Sequence, residues 1–322
     1  MIRTFNGFYM KLLLFIFCIF SHLEMCAAIT QVNGKWVKVK YAPSLSAPDH
    51  YDKGFRLFNE NNWEDALTQF TIINLHFQET AFYPDALFYS GVCYYFKGEF
   101  DLANKQFDQY LLLSGKLKHF EKVFEFKYHI AEAFRSGRKK HPFGIAAIPK
   151  VAPAKSNALA LYEEINVALP ASELAASALM GKGELLRSRR AYKESIEAFQ
   201  TLTKRFPKHS LAAESFIKLS EVYVEQSREE PQNPDYLSLA LLNIQRFQKS
   251  FPSEERIALA EANFKLMQEI YAESLYETGR FYEKKRKRGA SAIYYRDTLT
   301  QYPRTEAAQK SQERLITLKG EG

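Results

Sequence analysis

The chain has 322 residues, 46% hydrophobic and 25% charged, enough apolar material for a sizeable core, which excludes a disordered polymer. Its net charge of +7 admits nucleic acid, anionic lipid or an acidic protein as partner and selects none of them. Three cysteines exclude a disulfide-stapled scaffold.

In chain order, the first element is an export signal. "MKLLLFIFCIFSHLEMCAA" starts with Lys11, runs apolar through Leu12–Phe20 and turns to the small pair Ala27-Ala28, a pattern too short to span a bilayer well. Residues 1–28 are therefore expected to be a signal peptide. Leu23-Glu24-Met25-Cys26 resembles the lipobox of bacterial lipoproteins in its leucine three before the cysteine, while Glu24 and Met25 depart from the small residues of that pattern. Cys26 is the lipidation candidate, with plain signal cleavage as the alternative. Cleavage leaves Cys93 among apolar residues, where it reads as core. Residues 29–49 have no helical period and read as an extended tether with a short strand at Lys35–Val39.

From residue 50 to 318 apolar residues recur at helical spacing. Gly54, Ala66 and Phe70 are separated by 12 and 4 positions; Gly91, Ala103 and Phe107 repeat that spacing, as do Gly183, Ser195 and Phe199, and Gly279, Ser291 and Tyr295. Small residues suit the close crossing of two helices, and the aromatic fills the space between hairpins. This resembles the tetratricopeptide pattern. Aromatic-Pro pairs at Phe206, Phe251 and Tyr302 should end helices, with Ser210, Ser253 and Thr305 capping the next. The expected fold is all-α: a tetratricopeptide-repeat right-handed α-solenoid of six hairpins (50–83, 84–118, 123–172, 173–208, 209–253, 268–303) and a closing helix at 304–318.

The sequence shows no catalytic signature. Its seven histidines contain no H-E-x-x-H pair, and G-x-S-x-G and phosphate-loop patterns are missing. Gly181-Lys182-Gly183 lies in a repeat helix and serves helix crossing; His119 and His129 read as ordinary residues near a helix. No enzyme, cofactor or metal is expected. Two basic runs, "RSGRKK" at Arg135–Lys140 and "EKKRKRG" with Lys284, Lys285, Arg286, Lys287 and Arg288, are solvated turns or rims for an acidic partner or anionic lipid. Nucleic acid sits poorly with export. Aromatics are dense between Tyr83 and Phe96, and Tyr83, Tyr89 and Tyr95 are candidate anchors for an extended peptide on a concave face.

Export, the lipobox-like stretch and aromatic-Pro corners together resemble the BamD family of outer-membrane assembly lipoproteins. "YDKGFRLFNENNWEDALTQF" looks like its opening hairpin, and "LMQEIYAESLYETGRFYEKKRKRGASAIYYRDTLTQYPRTEAAQKSQERL" like its closing one. The resemblance implies a non-enzymatic scaffold on the periplasmic face of the outer membrane. Its C-terminal repeats would dock the barrel insertase (BamA-like periplasmic domains) beside other assembly-machinery lipoproteins, and its N-terminal repeats would receive unfolded outer-membrane proteins. The competing class is an envelope tetratricopeptide scaffold for division and peptidoglycan coordination, or for pilus or secretion assembly.

Overall fold

Helical spacing governs almost the whole chain in the computed structural model, which describes residues 29–32 and 35–320. The signal-peptide and Cys26 assignments lie outside those residues. Among the described residues, no helix is long and apolar enough to cross a membrane. The expected strand is present as β2 (Lys35–Lys38), but it pairs antiparallel with β1 (Ile29–Val32), Ile29 opposite Lys38. The segment read as an extended tether is therefore a hairpin, followed by a 3-10 turn at Val39–Tyr41. His76 Nε2 donates to the Tyr41 carbonyl at 3.0 Å and holds that turn.

The first compact unit ends at Leu161. It contains α1 (Ala47–Asn59), α2 (Trp63–His76), α3 (Tyr83–Phe96), α4 (Phe100–Leu111) and α5 (Phe120–Arg135), and the boundary falls inside α6 (Lys155–Ala168). The second unit holds α7 (Glu173–Ser188), α8 (Tyr192–Arg205), α9 (Ser210–Glu229), α10 (Asp235–Ser250), α11 (Ile257–Lys284), α12 (Arg288–Gln301) and α13 (Glu306–Gly320). Five expected hairpins (α1/α2, α3/α4, α7/α8, α9/α10 and α11/α12) and the closing helix each lie within one unit, and α5 and α6 occupy the positions expected for the third. From α1 to α5 and from α7 to α13 each helix packs on its successor, and leading helices also touch the next leading helix: α3 on α5, α7 on α9, α9 on α11 and α11 on α13. That is tetratricopeptide packing.

The repeated spacing has a steric cause. A Cβ built on Gly91 or Gly183 would lie 2.5 Å from Cε1 of Phe107 or Phe199; on Gly279 it would lie 2.6 Å from Tyr295, and on Gly54 2.9 Å from Phe70. Each aromatic ring thus occupies the space that a Cβ would fill on the facing helix. Ala66, Ala103, Ser195 and Ser291, one turn earlier, are as fully buried as the four rings, all at 0% exposure. Each buried ring contributes about 1.5–3 kcal/mol, so the motif is the main cohesive element of its hairpin.

Phe206, Phe251 and Tyr302 are the C-caps of α8, α10 and α12, as the prolines require. Capping differs from expectation at two of three corners. His209 caps α9, its Nδ1 accepting from the Leu211 amide at 3.0 Å, and Ser210 is already helical. At α11 Ser253 caps nothing; the Glu254 carboxylate accepts from the Arg256 amide at 3.3 Å. Thr305 does cap α13, accepting from Ala308 N at 3.2 Å, and Glu269 adds 3.0 Å bonds from the amides of Glu306 and Ala307. The sixth hairpin also starts earlier than the expected residue 268. α11 runs 28 residues because Ala260 and Met267 are buried and Phe264 packs beside them, which keeps the extra turns on the core.

Candidate functional site

In the first unit, Tyr51, Phe55 and Phe58 form an i, i+4, i+7 stripe on α1 and stack at 6.1 and 6.4 Å. Tyr89 of α3 completes this face, 5.4 Å from Phe55, 5.0 Å from Phe58 and 5.5 Å from Phe70. Asp85, one turn before Tyr89, accepts from the Tyr51 hydroxyl at 3.3 Å, Lys118 at 3.3 Å and His119 Nε2 at 3.2 Å. Burial, then the Asp85 charge, raises the Tyr51 and Tyr89 phenols, so both stay protonated donors. Burial likewise lowers His119, which stacks on Phe88 at 4.0 Å. The face is aromatic, with one carboxylate at its centre.

The structure does not gather the three tyrosines singled out in the sequence. Tyr95 belongs to another contact set, 5.6 Å from Phe100 and 5.0 Å from Phe126, and Tyr83 opens α3. Six-residue spacing places each roughly 120° around the helix from the next. Of the three, Tyr89 joins the α1 stripe. Density along the chain pointed to α3, whereas period points to α1; the unnoticed residues are Tyr51, Phe55 and Phe58. Phe96 is exposed and stacks on Trp63 at 4.6 Å, beside that face. Cys93 is fully buried, its thiol pushed up to about 12 by burial, and is packing material.

In the second unit the basic run forms the corner between α11 and α12. Lys284, Lys285, Arg286, Lys287 and Arg288 are all exposed, and Arg286 turns the chain with a φ of 57°. Lys285 lies 5.8 Å over Phe281 and Lys287 6.0 Å over Tyr282. Beneath the corner, Glu283 accepts from Tyr295 Oη at 2.7 Å and pairs with Arg314; that guanidinium holds its carboxyl below the ordinary range. α11 and α13 also line an open groove of about 710 Å³, where Leu266, Ile270 and Phe281 alternate with Glu269, Glu273 and Glu277. The corner is cationic and the groove acidic and apolar, which suits partners that offer both signs of charge.

A third feature was invisible in sequence. His141 Nδ1 lies 2.9 Å from Asp101, with Glu99 at 3.4 Å from Nε2, although 40 residues separate His141 from Asp101. Lys150 reaches the same Glu99 at 3.2 Å, so the cluster fastens the 136–154 loop to the start of α4.

These surfaces, carried on stacked helical hairpins, define a tetratricopeptide-repeat interaction protein. Residues 85–113 match the tetratricopeptide repeat family, and residues 187–319 match YfiO, described as an outer membrane lipoprotein. The BamD-like character read from the closing hairpin therefore holds across most of the second unit. Among solved structures, the chain is similar to MamA (41-end) from Desulfovibrio magneticus RS-1, at 18% identity over 65% of this chain and 97% of that one, TM-score 0.36. It is also similar to the apo form of RapI, at 14% identity over 93% and 80%, TM-score 0.35. A comparison with curated proteins finds no match.

Proposed function

We propose that the protein is a non-enzymatic scaffold of outer-membrane β-barrel assembly. The second unit docks the periplasmic domains of the barrel insertase, and the first receives an extended segment of an unfolded barrel protein. The observation that carries the reading is the YfiO match over residues 187–319, the stretch that contains the cationic corner and the acidic groove. The aromatic face of Tyr51, Phe55, Phe58 and Tyr89 supports the second half, because barrel strands alternate apolar and aromatic side chains that spaced rings can seat. In this reading Cys26 carries the acyl anchor and no cofactor takes part.

The test is capture of the protein from detergent-solubilised envelopes. Wild type should bring down the insertase in near-stoichiometric amount. Lys284→Glu/Lys285→Glu/Lys287→Glu should bring down less, with a weaker salt dependence, since rim charges act on association. A division, pilus or secretion partner in place of the insertase would overturn the reading.

A further inference from the structure

The 136–154 loop has fastened feet and an exposed apolar tip. At its base, Lys140 and Ala152 exchange backbone hydrogen bonds of 3.0 and 3.1 Å. His141 is 5% exposed and bonds Asp101 through both its amide and its ring, and Lys150 donates to the Gly98 carbonyl at 3.1 Å. Between these anchors the side chains turn outward: Phe143 is 95% exposed, Ile145 47%, and Val151, just past Lys150, 58%. Phe143 also has φ 55° and ψ 14°, a left-handed conformation that glycine adopts without penalty and a bulky residue rarely takes. The phenylalanine therefore strains its backbone and gains no packing in return.

The loop's own charge has one sign. Residues 135–155 contain six Lys or Arg and no Asp or Glu. Arg135 and Lys150 are paired with Glu132 and Glu99, whereas Arg138 and Lys139 are exposed. An apolar projection beside exposed cations lacks the concavity that receives a peptide and fits a surface that is anionic outside and apolar beneath. We propose that this loop is a membrane-contact element, with Phe143 and Ile145 entering the interface of an anionic bilayer and Arg138 and Lys139 meeting its headgroups. Each basic side chain near such a surface is worth about fivefold in binding, and burying the Phe143 ring about tenfold. The loop would set the orientation of the first unit against the membrane, independently of any acyl anchor.

The experiment uses the mature chain from Ile29 on, whose one cysteine, Cys93, is buried, and an environment-sensitive fluorophore on Phe143→Cys. Vesicles of phosphatidylethanolamine with phosphatidylglycerol should shift its emission to the blue, and vesicles of phosphatidylcholine alone should not. In a parallel sedimentation assay Phe143→Gly should lose about tenfold in affinity, yet melt no lower than the parent because glycine suits the backbone there. Arg138→Glu/Lys139→Glu should lose at least as much. A fluorophore that stays in water on anionic vesicles would overturn the proposal. So would a blue shift that needs an added envelope protein, which would mean a socket in a protein instead.

Discussion

The same slot in the repeat is filled in two ways. In the first unit Phe107 lies on Gly91, is stacked on Phe126 at 5.5 Å, and is held by hydrocarbon alone. In the second, Tyr295 lies on Gly279 in the same manner, but its hydroxyl continues to Glu283 and so to Arg314 of α13. One ring is a filler; the other joins three helices through a charge-assisted network. Position in the repeat fixes shape, and the atom at the tip of the ring decides whether the site also transmits electrostatics. The tyrosine version lies beneath the cationic corner and gives it a rigid base.

The harshest way to break the comparison is to remove the bare backbone. Gly91→Ala and Gly279→Ala each press a methyl group into a buried ring, an overpacking cost of about 3 kcal/mol offset by ~1 from helix propensity. Both urea midpoints should fall, Gly279→Ala further because the Tyr295 hydroxyl fixes its ring. Gly289→Ala, with nothing within 4 Å, should instead hold or rise. A gentler probe exchanges the tips. Tyr295→Phe deletes one bond to a carboxylate and should cost about 1–2 kcal/mol. Phe107→Tyr should cost about as much for the opposite reason, a buried hydroxyl without an acceptor.

Acid gives the smallest effect and separates the units by window. Burial lowers His119 below its ordinary 6.5, so the unfolded chain takes up the proton first. That stability is present above about 6.5 and is lost as pH falls through the depressed folded value. Glu283 is lowered from 4.5, chiefly by the Arg314 hydrogen bond, and its contribution is lost only below that range. In pH-dependent melts, His119→Gln should flatten the mildly acidic limb and Glu283→Gln the strongly acidic one.

Much of this architecture was legible in the chain because it is periodic. The spacing from Gly91 to Ala103 to Phe107 is a steric rule written at fixed distance, and Phe251-Pro252 can only end a helix. What was missed depends on geometry that spacing does not encode. Ser210 and His209 are adjacent and both can cap, and only the backbone decides between them. The early start of α11 is set by tertiary burial of Ala260 and Met267, not by a terminal signal. The tyrosines of α3 stand out by abundance, whereas Tyr51, Phe55 and Phe58 carry the periodic signal. The bond from His141 to Asp101 joins residues that no local pattern relates.

The length of α11 has one more consequence. Repeat arrays ordinarily come apart one hairpin at a time, because each repeat touches only its neighbours. A rod of 28 residues, about 42 Å long, that packs on α9, α10, α12 and α13 belongs to two hairpins and the cap at once. Fraying from the C-terminal end cannot stop between those repeats without breaking the rod itself. Amides of α9 through α13 should therefore exchange with deuterium as a single cooperative block, and a pull on the corner between α11 and α12 would be borne by the whole block together.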